Sequence, residues 1–303
     1  MIPRRSGQRK AQDRGAALIL VVWAVGLMAV IAALIARDAH LDARESNRFR
    51  DALTGDLLIQ AGQRLAFARL SQPAEGLETG FPIVCDMEGG RLLINARPIN
   101  AFIDLNASPE ETLAALFVAL GAPAPEAAGY AARIADYRDA DTTISPGGAE
   151  FADYTNAGLA YGPANRPFVR TGEVSEVLGL PPELVAAMLP HVTVHAYSTQ
   201  VEPLHASTEV LAATEVLGTR AGLGIDEAAW TQSADGAPPF AGEPVVIEVI
   251  VETTTGYRTG VAATFGPQDL SLSGNRRLIE ERLAGPEPVL AAGASLPAPA
   301  PCY

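Results

Sequence analysis

Lysine is almost absent from this chain. Lys10 is the only one among 22 basic residues, which face 35 acidic residues, and the formal net charge is −13. Phosphate backbones and anionic lipid surfaces repel a chain of that sign, so nucleic acid is not an expected partner. Cysteine is scarce too, with Cys85 and Cys302 alone. Two thiols do not complete a zinc site without histidine partners, and His40, His191, His195 and His205 show no ligand spacing. Across a membrane the compartment can be oxidising, so the two cysteines are able to pair. The sequence equally allows two unrelated thiols. No serine sits in a nucleophile-elbow frame and no catalytic set stands out, so no enzyme is expected. Apolar residues, by contrast, make up 48% of the chain, too many for wholesale disorder.

Charge disappears altogether from Ala16 to Ala36, a run of 21 residues. At 1.5 Å per residue a helix of that length crosses a bilayer core, and only a helix satisfies its own backbone there. Arg4, Arg5, Arg9, Lys10 and Arg14 precede it, against Asp13 alone. A basic flank stays cytoplasmic, which places the rest of the chain across the membrane. The run is too long for a cleaved secretory signal, and Arg37-Asp38 follows it directly. A basic leader, then Gly15, then an uninterrupted apolar helix resembles a type IV prepilin signal. That resemblance implies cleavage between Gly15 and Ala16 by a prepilin peptidase, N-methylation of Ala16, and retention of the helix. An uncut signal anchor is the alternative reading. Most pilins carry Glu at the fifth mature position, which here is Leu20. Its absence resembles the K-type minor pseudopilins of type II secretion, placed at the pseudopilus tip.

From residue 37 to about 72 apolar residues recur at helical spacing, among them Leu41, Phe49, Leu53, Leu57, Ala61 and Leu65. Such a stripe needs a partner surface, and Phe49, Leu53, Leu57 and Leu65 are the expected interface. Gln72-Pro73 ends the helix. Residues 81–88 and 91–95 flank Gly89-Gly90 as a hairpin. From Ile103 the pattern turns helical. Ser108-Pro109-Glu110-Glu111 opens one helix, with Ser108 as the expected cap, and Pro125 to about Arg138 is a second. Residues 139–167 read as a long loop, and a loop of that length in a compact domain signals function or a metal. Two short helices over 171–178 and 181–189 and an alternating stretch at 191–197 follow. Ala206-Ser207-Thr208-Glu209 echoes the capped helix start at Ala107. Residues 244–252 and 257–265 are the clearest strands, joined by a turn at 253–256. Leu278 to Leu283 reads as a short helix within a flexible Pro/Ala-rich tail.

The segments Ile103-Asp104-Leu105-Asn106-Ala107-Ser108-Pro109-Glu110, Ile134-Ala135-Asp136-Tyr137-Arg138-Asp139-Ala140-Asp141, Gly148-Ala149-Glu150, Pro167-Phe168 with Glu173-Val174 and Leu178-Gly179, and Val192-Thr193-Val194 together resemble general secretion pathway protein K, the K-type minor pseudopilin family. The resemblance covers roughly residues 14–265. It implies an α+β, pilin-like fold, in which a long N-terminal helix lies on an antiparallel sheet. A large helical domain of helix-hairpin-helix or SAM-like type is inserted in that fold. The expected division is a leader at 1–15, a transmembrane helix at 16–36, a first pilin-like part at 37–102, an inserted helical domain at 103–200, a second pilin-like part at 201–265 and a tail at 266–303. The implied function is a tip complex with I-type and J-type minor pseudopilins. That complex primes assembly of the major pseudopilin for export across the outer membrane, from the inner membrane and with the C-terminal domain in the periplasm.

Asp136, Asp139, Asp141, Glu150 and Asp153 place five carboxylates within 18 residues around a Gly-rich loop. Hard oxygen ligands on a flexible loop suit calcium, and K-type relatives bind it. The spacing is not that of an EF-hand, and a solvated acidic loop is the plainer reading. The helical block also resembles the helix-hairpin-helix domain of a membrane-anchored competence receptor for DNA. Such hairpins offer backbone amides and Lys or Arg to phosphates. Leu120-Gly121-Ala122-Pro123 lacks the usual Gly-x-Gly turn, and no lysine is present to help.

Overall fold

The computed structural model describes residues 9–71, 80–216, 242–266, 278–285, 289–290, 293 and 295–302. The chain divides into two compact units, Met1–Leu53 and Thr54–Tyr303. Helix α1 has the bounds Arg9–Leu70. In the first unit its stretch Leu18–Ile35 is long and apolar enough to cross a membrane, and its large apolar side chains are exposed.

In the second unit the last turns of α1 lie on a sheet. Leu58, Ile59, Ala66 and Leu70 are buried there and share a core with Leu92, Ile94, Val249 and Val251. Burying each Leu or Ile in this way contributes about 1.5–3 kcal/mol. Gly62 makes the approach possible, because a Cβ at that position would come 2.7 Å from a Val249 methyl. The sheet is built from β1 (Ile83–Met87), β2 (Gly90–Pro98), β5 (Val245–Thr253), β6 (Arg258–Phe265), β7 (Leu278–Leu283) and β8 (Ala300–Pro301). Its order is β7-β6-β5-β2-β1-β8. All pairs are antiparallel except β8, which runs parallel to β1. The strand period of two sends Leu92, Ile94 and Ala96 to the helix face and Asn95 and Arg97 to the other.

Between β2 and β5 the chain forms a helical block with its own core. It contains β3 (Ile103–Asp104), α2 (Glu110–Ala119), α3 (Ala124–Arg138), α4 (Phe151–Asn156), α5 (Pro182–Met188), β4 (Val192–Thr193) and α6 (Thr208–Val216). Leu113, Leu116, Phe117, Ile134, Tyr137, Tyr154 and Met188 fill its centre.

Several expectations need correction. The block does not end at 200, since Val201, Ala206, Val210 and Ala213 belong to its core, so α6 is part of it. Residues 171–176 form a 3-10 turn, and α4 interrupts the loop expected over 139–167. Only Val192–Thr193 of the alternating stretch 191–197 is strand. Ser108 does not cap α2, whose first turn follows Pro109 without a side-chain cap. Leu278–Leu283 is strand, not helix, because Glu280 and Arg282 alternate into a polar joint with the block. The described parts of the region expected as a flexible tail carry β7, β8 and a disulfide from Cys302 to Cys85. The expected helix stop at Gln72-Pro73 and most of the leader lie outside the described residues.

Candidate assembly face, block joint and carboxylate loop

The residues expected to meet partners separate into two kinds. In the first unit Phe49 is 70% and Leu53 50% exposed; in the second Leu57 is 58% exposed. Leu65 differs, being half-buried against the sheet core. Gly15 and Ala16 fall within the bounds of α1, in a stretch whose side chains are not described.

The block is closed at its neck by Asp104. β3 and β4 pair in parallel, Ile103 with Val192 and Asp104 with Thr193, so the chain's entry into the block lies beside the strand that follows α5. Asp104 is 1% exposed. One carboxylate oxygen accepts the amides of Asn106 at 2.7 Å and Ala107 at 3.0 Å. The other accepts those of Ala196 and Tyr197, each at 2.9 Å. One side chain thus ties the first turn of the block to the segment just after β4. Arg138 adds to the neck by donating to the carbonyls of Leu105 and Ser108. Burial lowers its pKa, while the nearby Asp104 carboxylate opposes that shift.

The block meets the sheet through polar contacts. Arg97 of β2 donates to the Pro190 carbonyl at 3.1 Å, and Arg282 of β7 donates to the Val192 carbonyl at 3.2 Å. Glu280 accepts the Thr171 amide at 2.9 Å and the Thr171 hydroxyl, and it pairs with the His195 ring at 2.9 Å. Burial pushes Glu280 up, but those hydrogen bonds outweigh it and hold the carboxyl below its usual value. His191, on the same side, lies 2.8 Å from the Ser207 hydroxyl. Burial depresses its pKa to about 4, which keeps the ring neutral at physiological pH.

The five loop carboxylates are not equivalent. Asp141 accepts the Thr143 amide in a local turn at 2.7 Å, and Asp153 caps α4 by accepting the Glu150 amide at 2.9 Å. Asp136 is fully buried at the end of α3 and accepts the Ser145 amide. Asp139 Oδ1 and both Glu150 carboxylate oxygens are buried without a hydrogen bond of normal geometry among the described residues. Burial raises the pKa of both residues. Asp141 and Asp136 raise Asp139 further, and Asp136 and Asp139 raise Glu150, while the Phe151 amide pulls Glu150 slightly down. Among the described residues no three carboxylates converge in a ready metal-ligand geometry. The chemistry of the donors is nevertheless that of an oxygen-seeking cation, with negative charge gathered and lone pairs unmet.

Residues 94–197, from the middle of β2 to just past β4, match the family described as Type II secretion system (T2SS), protein K. That segment, about a third of the chain, is similar to the protein K family. Two protein K relatives extend the likeness beyond that segment. Type II secretion system protein K of Pectobacterium carotovorum subsp. carotovorum is 26% identical over 211 residues, covering 60% of this chain and 63% of the relative. Putative type II secretion system protein K of Escherichia coli strain K12 is 24% identical over 208 residues, with the same shares. The match therefore spans 63% of the length of each relative. In three dimensions the chain is similar to a chain of the GspK-GspI-GspJ complex of the enterotoxigenic Escherichia coli type 2 secretion system. The TM-score is 0.52 at 15% identity, with 80% of this chain and 99% of that one covered. This likeness shows the fold, an α+β arrangement of N-terminal helix and antiparallel sheet.

Sequence reasoning missed the neck of the inserted block and its joint with the sheet. Asp104-Leu105-Asn106-Ala107 does carry the local half of the neck signal, an Asp whose side chain captures amides two and three residues on.

Proposed function

We propose that this protein is a membrane-anchored minor pseudopilin of type II secretion. It joins I-type and J-type minor pseudopilins in a tip complex that primes the growing pseudopilus for export across the outer membrane. The observation that carries the proposal is the segment similar to protein K built into a helix-on-sheet fold, on a chain whose N-terminal helix can cross a membrane. The helix sits in the inner membrane and the sheet and block in the periplasm. Phe49 and Leu53 in the first unit, and Leu57 in the second, are exposed apolar side chains left for partner helices, because burying exposed Leu and Phe is what drives such contacts. Leu20 in place of an acidic fifth residue suits a subunit with none above it. The role is structural, and the inserted block serves protein contacts as a helix-hairpin-helix-type module without DNA.

Prepilin peptidase cuts between Gly15 and Ala16, and Ala16 becomes the N-methylated first residue. Intact mass of the full chain purified from its host is the test. A mass starting at methyl-Ala16 is expected, and an intact Met1 leader in a peptidase-competent host contradicts the processing.

The carboxylate loop binds calcium. Asp136, Asp139 and Glu150 are the residues that would hold the ion, with Asp141 and Asp153 at its edge. Calcium supplies positive charge that offsets their mutual repulsion. Titration of the full chain in detergent is expected to raise the melting temperature, and Glu150→Gln to weaken the half-saturating concentration at least tenfold. An unchanged melting curve up to millimolar calcium removes the ion from the account.

A further inference from the structure

We propose that the pocket between the sheet and the inserted block binds a small organic carboxylate. The pocket has a volume of about 210 Å³. Its floor is formed by Arg97, Val246, Glu248 and Ala262, all buried, and its rim includes the exposed Ala186 and Leu283. Leu189, Pro190 and Ala284 complete a wall that is mostly apolar.

Among the residues lining this space the charges do not balance. Two guanidinium groups, Arg97 and Arg282, face a single lining carboxylate, Glu248. Two more carboxylates lie nearby, outside the lining. Glu280 is held by His195 and Thr171, and Glu209, 3.7 Å from the neutral His191, is partly exposed to solvent that screens its charge. Glu248 itself accepts the Val289 amide at 3.0 Å. Arg97 is 4% exposed, stacks over the Phe102 ring at 4.0 Å and donates one nitrogen to Pro190. Its Nη1 finds no acceptor among the described residues. A buried guanidinium with an unmet N–H is unusual, since buried donors are nearly always paired. Burial depresses the Arg97 pKa to about 10 and lowers that of Arg282, with nearby carboxylates opposing both shifts.

A carboxylate answers these features together. Its two oxygens match the guanidinium fork, and a short hydrocarbon part fits the Leu189, Pro190 and Leu283 walls. Inorganic phosphate offers the charge without the apolar part.

The test uses the full chain in detergent, titrated with sodium butyrate against sodium chloride at equal ionic strength, with thermal melting as the readout. Wild type is expected to show a saturable rise in melting temperature with butyrate. Arg97→Met, which keeps the bulk and removes the donors, is expected to lose it. Glu248→Gln removes the competing negative charge, so its half-saturating concentration is expected to fall at least threefold. That variant decides the matter if Arg97→Met does not fold. Equal responses to butyrate in wild type and Arg97→Met, no gain with Glu248→Gln, or no difference between butyrate and chloride each overturn the site. A phosphate response as strong as that to butyrate overturns the class of ligand.

Discussion

Asp104→Ala is expected to destabilise the folded unit by about 2–4 kcal/mol, because it leaves four partly buried amides without an acceptor. The carboxylate serves Asn106 and Ala107 with one oxygen and Ala196 and Tyr197 with the other. No water-exposed group can substitute at a position 1% exposed. Tyr197 makes the loss worse, since it adopts a left-handed φ of 52° that the hydrogen bond helps to hold. Asp104→Asn offers little rescue. Its carbonyl oxygen can serve one pair of amides, but its NH2 group then points N–H donors at the other pair. Urea unfolding of the full chain in detergent measures both variants. A loss below about 1 kcal/mol for alanine contradicts the role given to this side chain.

Cys302→Ser is the second large change. The bridge joins residues separated by 217 positions, and the inserted block lies inside the loop it closes. Constraint of so long a loop in the unfolded chain gives a stabilisation of about 2–5 kcal/mol. β8 pairs with β1 only through Cys85–Ala300 and Asp86–Pro301, with a longer bond from the Cys302 amide to the Asp86 carbonyl. That short ladder does not hold the C-terminal strand without the covalent link. The melting temperature is expected to fall by about 5–15 °C in the variant, and by the same amount in wild type under a thiol reductant. Equal melting in reduced and oxidised wild type contradicts it.

Much of the frame is legible in the sequence where local pattern and tertiary role agree. Gly89-Gly90 marks the β1–β2 hairpin, and the runs Val245–Thr253 and Arg258–Phe265, rich in β-branched residues, mark the central strands. The apolar faces of α2 and α3 follow the helical period. β7 is unreadable for a physical reason. Its inward side chains are Glu280 and Arg282, which find Thr171, His195 and Val192 on the block, so an inward face looks polar. The neck fails for a different reason. Asp104 is visible as a local turn residue, but Ala196 and Tyr197 lie more than ninety residues further along. In the carboxylate loop, five acids that look alike in sequence separate once Asp141 and Asp153 are seen to be used by their own backbone turns.

Phe49, Leu53 and Leu57, all exposed, carry the claim of assembly. Its direct measurement is co-purification of the full chain with the I-type and J-type minor pseudopilins from one cell, beside the variant Leu53→Asp with Leu57→Asp. The wild-type chain is expected to elute with both partners, and the variant to remain folded and elute without them. A wild-type chain that elutes alone, or a variant that keeps both partners in full amount, contradicts the account.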